Sequence, residues 1–353
     1  MNIMKNQKTI TISQILTLNP NTILDQLVKT CLLLKNKPIV PRDPDNSPYM
    51  PNPLYQVKST ISGYERIYPR LRKLSSVIGI DSSVYSIAES DDGYVLVTCG
   101  ALVVEENIND VKVYRYGPIP IYISPSSISS LQHLISIFIG NISNDTINLV
   151  TKNLNYAKRL IIILIESLLI TYAIELAETN SIILIDGSLQ RFKRLTNLLH
   201  KAYSKNVYVV GVSKRSKLYK YFPNILYEVV SSPLPVVIKL QDLPIKYRIR
   251  GISTYIGKLH KHGIPLRIDF HDKYDPHIII DSIFSNSYEP TGYPNVLKEA
   301  HIGAKILRSE LIGIKLTLSK LGVVFKYSPK FRDFLFGPFN KSSSEWVYRN
   351  VNI

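Results

Sequence analysis

Apolar residues recur at helical spacing over residues 12–34, then give way to a proline-rich passage at 37–53 that reads as an extended connector. From Ser76 the period changes to that of strands. Val77, Ile78 and Ile80 run into Asp81 and continue through Val84, Tyr85 and Ile87. The turn signal Asp91-Asp92-Gly93 precedes a second run at 94–104, and Asn109-Asp110 precedes a third at 111–123. Three strands joined by tight turns make an antiparallel meander. Helical patterns follow over about 126–139 and 144–178. The aliphatic run 182–185 then enters Asp186-Gly187-Ser188, and a helix to about Tyr203 precedes a strand at 207–212. The order β-β-β-α-β-α-β predicts an α/β fold with a mixed five-stranded sheet, three strands antiparallel and the later ones parallel through right-handed crossovers, flanked by helices. Farther on the pattern is weaker. Strand-like pieces stand at 235–240, 247–256 and 266–270, a helix begins at Pro276, and a last helix covers about 294–318.

Three regions follow: an N-terminal helical extension at 1–70, a main domain at 71–327, and a tail at 328–353 that holds the one tryptophan, Trp346. The apolar stretch 160–177 superficially resembles a membrane span. It contains Glu166 and Glu175, follows Lys158-Arg159, and falls short of the ~20 apolar residues a bilayer requires, so it reads as a buried helix.

Charge changes the picture more than composition does. With 45% hydrophobic and 20% charged residues, the 353-residue chain is ordinary globular material, but 43 Lys and Arg against 27 Asp and Glu leave a net charge of +16. Such a field favours polyanions, nucleic acid first, because cations that neutralise phosphates release condensed counterions. Two distant cysteines, Cys31 and Cys99, form neither a metal knuckle nor a disulfide framework. The first residues carry no signal-peptide pattern, and the expectation is a cytoplasmic, nucleoid-associated protein.

Four residues stand out as candidate chemistry. Asp81 interrupts an apolar strand, where a carboxylate is costly to bury unless it is paired or binds a metal; the plain alternative is a strand-end aspartate facing water. Asp186 ends the aliphatic run before Gly187, and the plain alternative there is a helix cap. Glu166 lies in a helix that is apolar all round, with few routes to solvent, and is preferred to Glu175, which falls half a turn out of phase. His301, on the last helix, can ligate a metal as neutral imidazole or assist proton transfer. Acids converging from two strands and a helix repel one another unless a cation sits between them, and oxygen ligands of this kind suit Mg²⁺ or Mn²⁺. Two ions about 4 Å apart would serve phosphodiester cleavage without a protein nucleophile.

The meander, the second acidic strand and the late helix together resemble the RNase H-like nuclease core. More narrowly, four motifs resemble the NurA family of archaeal and bacterial nucleases: Gly79-Ile80-Asp81-Ser82-Ser83, Ile185-Asp186-Gly187-Ser188-Leu189, Gly211-Val212-Ser213-Lys214, and Tyr293-Pro294 followed by Leu297 and Ala300-His301. The resemblance spans about 76–305. It implies that Asp81, Asp186 and His301 are metal-site positions, that Glu166 is the helix glutamate, and that Tyr293 is an active-site tyrosine. Arg267-Ile268-Asp269 resembles a family strand with an arginine and an acid, although a solvated strand-end acid explains Asp269 as well. The resemblance also implies manganese, activity on single-stranded DNA and duplex ends, a homodimer, and docking on a HerA-type hexameric translocase during end resection for double-strand break repair.

Candidate DNA contacts are Arg194, Lys214, Arg215, Lys217 and Arg267, with neighbours Lys193, Tyr219, Tyr221, Lys246, Tyr247, Arg248 and Arg250. Tyrosines interleaved with cations can stack bases while the cations hold phosphates, and the plain alternative is a solvated basic face. Two other functions fit the same features: a catalytically silent DNA-binding or translocase-adaptor subunit, or an RNase H-like enzyme acting on RNA or hybrids.

Overall fold

The computed structural model describes residues 20–34, 40–41, 64–71, 76–107, 110–138, 143–189, 196–214 and 216–325. In chain order these hold α1 (Pro20–Leu34), β1 (Val40–Pro41), β2 (Arg66–Ile67), β3 (Val77–Ser90), β4 (Gly93–Asn107) and β5 (Asp110–Ile123). Next come α2 (Pro125–Phe138), α3 (Asn144–Lys152), α4 (Leu154–Leu176), β6 (Ile182–Asp186), α5 (Thr196–Ser204), β7 (Tyr208–Ser213) and α6 (Pro223–Ser231). The chain continues through β8 (Val236–Lys239), β9 (Ile252–Lys258), β10 (Leu266–His271), α7 (Pro276–Ser285), α8 (Asn295–Ala304) and α9 (Arg308–Lys320).

All ten strands join one sheet. Nine lie along the path β2-β8-β9-β10-β7-β6-β3-β4-β5, and β1 pairs with β3 off that path. The expected five-stranded sheet is half of this. Strands β3, β4 and β5 form the antiparallel meander and β3, β6 and β7 run parallel, as their connections dictate. The sheet is then extended because β10 pairs antiparallel with β7, and β9, β8 and β2 follow. Most of β9 and β10 is buried on both faces, so these strands lack the apolar-polar alternation that marks a half-exposed strand.

Helices cover both faces. On one, α7 and α8 pack over the middle of the sheet, while α1 and α9 cover the meander, placing Cys31, Leu34, Ile314 and Leu318 against Val95, Val97 and Cys99. On the other, α4 crosses β3 and β4, with α2, α3 and α5 around it. The apolar stretch of α4 is thus a core helix, and no helix among the described residues is long and apolar enough to cross a membrane.

Two expected helices divide. The 144–178 pattern breaks at Asn153, which closes α3 through its backbone and caps α4 by accepting from the Asn155 and Tyr156 amides. The 294–318 pattern breaks after Ala304, where Ile306 is buried and Glu310 accepts from the Leu307 amide to start α9. The expected strand at 247–256 lies at Ile252–Lys258, because Ile245–Tyr247 closes into a 3-10 turn. In the N-terminal region, α1, β1 and β2 are built into the main body: the Thr30 hydroxyl donates to the Pro120 carbonyl at 3.2 Å, and Arg66 pairs with Glu228. The tail at 328–353, with Trp346, lies outside the described residues.

Candidate metal centre

The centre begins with strand register. β3 and β6 pair in parallel from Val77 with Ile182 to Ile80 with Ile185, so Asp81 and Asp186 each follow the last aligned pair and project to the same face. Ile80 and Ile185 point the other way, into the core beneath α4. β6 stops at Asp186 while β3 continues, which leaves an open edge beside Asp81.

A helix closes over that face because Gly79 has no side chain. A Cβ there would stand 2.3 Å from the Val296 carbonyl oxygen, so the backbone of α8 rests directly on β3. His301 lies five residues beyond Val296, about 7.5 Å along the helix. Asp81 lies two residues beyond Gly79, about 6.6 Å along the strand, and the two side chains meet. His301 Nδ1 is 2.7 Å from Asp81 Oδ2. The far end of α8 is held by the Ser83 hydroxyl on the Ala304 carbonyl and by Arg115, which donates to the Gly303 and Lys305 carbonyls and pairs with Glu310.

Asp81, Asp186 and His301 each offer one ligand atom, all within 4.8 Å of one another. Asp81 is 7% exposed and the His301 side chain 63%, so the cluster is walled by protein on one side and open on the other. Lys214 stands beside it, its Nζ 3.7 Å from Asp186 Oδ2 and 3.9 Å from the centroid of the Tyr293 ring. Burial, then the neighbouring Asp81 charge, raises the Asp186 pKa above the usual carboxylate value, against the opposing pull of Lys214, a hydrogen bond from Tyr293, and His301. The His301 pKa is also raised, first by its hydrogen bond to Asp81 and then by the two carboxylate charges, against burial and Lys214. Two repelling carboxylates and an imidazole fit a divalent cation, which would relieve that repulsion; the mixed oxygen and nitrogen set suits Mn²⁺ and tolerates Mg²⁺.

Glu166 approaches from the opposite face and is outside that three-residue group. It is 1% exposed, and Ser82 links it to the centre: the Ser82 hydroxyl donates to Glu166 Oε1 at 3.1 Å and the Ser82 amide donates to Asp81 Oδ1 at 2.7 Å. Glu175 sits elsewhere, paired with Lys201 at 3.5 Å.

The expected DNA contacts divide three ways. Lys214 is exposed beside the centre, and Lys217 is exposed three residues farther along the chain. Arg267 is not: it is 3% exposed inside the sheet, with Nε 2.8 Å from Asp269 Oδ1, so a direct phosphate contact is replaced by a buried ion pair. Arg194, Lys193 and Arg215 lie outside the described residues. Tyr219 spends its hydroxyl on the Pro265 carbonyl, whereas Tyr221 packs against Tyr247. Sequence reasoning missed the bridging role of Ser82 and the buried set around Asp269; Gly211, the register partner of Asp269, is the signal that points to the second.

Residues 75–306 match the NurA domain family. Among solved structures, the NurA nuclease from Sulfolobus solfataricus aligns at 15% identity and a TM-score of 0.41, over 88% of this chain and 94% of that one. A second NurA structure aligns at 10% identity and 0.43, over 75% and 91%, and endonuclease V from Bacillus subtilis at 13% and 0.36, over 68% and 84%. At these scores the family rests on the match across 75–306 and not on the superpositions. No curated protein matches the chain.

Proposed function

The chain belongs to the NurA family and is a nuclease, and from that premise we propose that it hydrolyses DNA phosphodiesters at a divalent-metal centre held by Asp81, Asp186 and His301, with Glu166, linked to Asp81 through Ser82, as the fourth acidic or imidazole group of the site. The observation that carries this reading is the convergence of three donor groups within 4.8 Å inside the family region. One or two cations, Mn²⁺ or Mg²⁺, would supply Lewis acidity there, lowering the pKa of the attacking water and offsetting the charge that builds on the phosphate.

The protein groups do the positioning. Asp81 and Asp186 fix the centre from adjacent strands, and His301 closes it from the open side, where it can also take up or return a proton. Lys214 faces the incoming phosphate and adds positive charge beside Asp186. The Tyr293 hydroxyl lowers the Asp186 pKa from nearby, and the Tyr293 ring holds the Lys214 ammonium over its face. Lys217 and the tyrosines near it extend a basic, stacking surface away from the cluster.

We assign the activities as endonucleolytic cutting of single-stranded DNA and 5′-to-3′ exonucleolytic digestion, on single strands and duplex ends, in end resection with a HerA-type hexameric translocase. We further assign a homodimer in the cytoplasm at the nucleoid. Family membership supports these assignments, and the net charge of +16 supports the polyanionic substrate.

The decisive experiment is cleavage of end-labelled single-stranded DNA, RNA and hybrids with Mn²⁺, Mg²⁺ or EDTA, with wild type beside Asp81→Ala. Metal-dependent cutting of DNA, lost in the variant, is expected. Cutting confined to RNA or hybrids would change the substrate, and no cutting by wild type with a translocase supplied would favour a silent DNA-binding subunit.

A further inference from the structure

The metal centre needs Asp186 held from both sides, yet the chain leaves the sheet immediately after it. Gly187 follows with a φ of 131°, a conformation open to glycine, and its amide donates to the Val212 carbonyl at 2.8 Å. The turn then lies across β7. It fits only because residue 211 is glycine: a Cβ on Gly211 would stand 2.6 Å from the Gly187 carbonyl oxygen and 2.9 Å from the Leu189 amide nitrogen.

The turn lands on Asp269 in β10, whose register partner in β7 is Gly211. Asp269 is 0% exposed and each of its oxygens accepts twice. Oδ2 takes the Ser188 hydroxyl at 2.6 Å and the Leu189 amide at 3.2 Å; Oδ1 takes the Thr254 hydroxyl at 2.9 Å and Arg267 Nε at 2.8 Å. Thr254 and Arg267 are thus the fixed side of the clamp, anchored in β9 and β10, and Ser188 and Leu189 are the side being held.

We infer that Asp269 is a positioning residue for Asp186: through Ser188 and Leu189 it fixes the turn that follows β6, and so the place at which the Asp186 carboxylate enters the metal centre on the opposite face of the sheet. Asp269 itself faces away from the cluster and is not a ligand. Without the clamp, the turn after Asp186 would lose the hydrogen bonds of Ser188 and Leu189 to Asp269, and the glycine between them and Asp186 gives little resistance to rotation of the residue before it. Residues that orient metal ligands typically contribute a factor of about 10–100 in metal affinity. Arg267 belongs to the same device, which accounts for a buried guanidinium in a strand that offers DNA no surface.

This inference rests on the reading of Asp186 as a ligand, so Asp186→Asn is measured in parallel. The readout is Mn²⁺ binding by calorimetry and by loss of the free-ion EPR signal, without DNA. Asp269→Asn keeps one acceptor oxygen, which can serve the Ser188 and Leu189 pair or the Thr254 and Arg267 pair but not both, so the clamp loses one of its two sides, and Ser188→Ala removes one strap while leaving Asp269 three donors. Weakening of Mn²⁺ binding by about 10-fold or more is expected in Asp269→Asn and a smaller loss in Ser188→Ala, with KM for DNA unchanged and kcat restored by excess metal. The effects of the two changes should be non-additive in the double variant, because both cut the same strap.

A control, Val229→Ala, lowers stability in a core cluster at the far part of the sheet. Wild-type Mn²⁺ affinity in Asp269→Asn, or a loss no larger than that of the control at matched melting temperature, would overturn the clamp while leaving Asp186 as a ligand. Wild-type affinity in Asp186→Asn would overturn both readings.

Discussion

Asp81 and Asp186 differ from every other acid among the described residues in sharing one face at the end of a parallel strand pair with a histidine against them. Replacing either with alanine removes a ligand while leaving every exposed lysine in the chain, Lys214 losing only its Asp186 partner in the second case. Each variant is therefore expected to lose essentially all cleavage while its single-stranded DNA affinity in EDTA, read by fluorescence anisotropy, stays within a few-fold of wild type. The same pair sets a pH dependence. A group whose folded pKa is raised holds its proton more tightly in the folded state, so its stabilising contribution is full below its unfolded value and lost as pH rises through the folded value. Asp186 and His301 are both raised, the first mainly by burial and the second mainly by Asp81. In metal-free protein the melting temperature should decline across two windows, one starting near the ordinary carboxylate range and one near the ordinary histidine range. His301→Gln should flatten the second window alone; an unchanged slope there would dissociate His301 from Asp81. These residues were legible in the sequence because each acid interrupts an aliphatic run. Asp269 was not, since a carboxylate that accepts from two strands and a turn looks, in one dimension, the same as a solvated strand-end acid.

At the scale of elements, a few contacts decide whether the ligands meet. Helix α8 can reach Asp81 only by lying on Gly79, so Gly79→Ala drives a methyl into the Val296 carbonyl and lifts the helix. A loss of about 1–3 kcal/mol in chemical denaturation is expected, with a larger proportional loss of Mn²⁺ affinity because His301 moves with the helix. Gly313 in α9 meets nothing within 4 Å of an added Cβ, and Gly313→Ala should stabilise by roughly 0.5–1 kcal/mol. If the two substitutions behaved alike, close approach would not be the reason for the glycine before Asp81. The meander and the two parallel strands were readable from period and turn signals, since 77–90, 93–107 and 110–123 are long and divided by Asp-Gly or Asn-Asp. The four strands beyond β7 were harder for a physical reason. β2 has two residues and β8 four, too few to establish a period, and β9 carries buried Lys258, whose ammonium is satisfied by the Val230, Ser232 and Lys261 carbonyls. A charged residue inside a strand reads as exposed until such partners are known.

For the whole molecule, the sheet grows one way from β3 through β4 and β5 and then the other way through β6 and β7, so the strand order reverses between β3 and β6. The acids straddle that boundary at the carboxyl end of β6, the place where open α/β sheets leave a crevice for ligands. Onto this geometry is laid a net charge of +16, and for single strands the logarithm of affinity falls with the logarithm of salt at about 0.7 per phosphate neutralised. Lys217 is exposed just beyond β7, three residues after Lys214, whereas Lys112 lies at the start of β5, already engaged by Glu106 at 3.0 Å. With EDTA present to prevent cleavage, Lys217→Ala should lower the slope for a short single-stranded oligonucleotide by about 0.7, and Lys112→Ala should leave it unchanged. A slope that fell equally in both variants would mean that the field of the whole protein, and not a track leading to the crevice, holds the strand. A slope that fell only in Lys217→Ala would set the direction from which DNA enters, along β7 towards Lys214 and the paired acids.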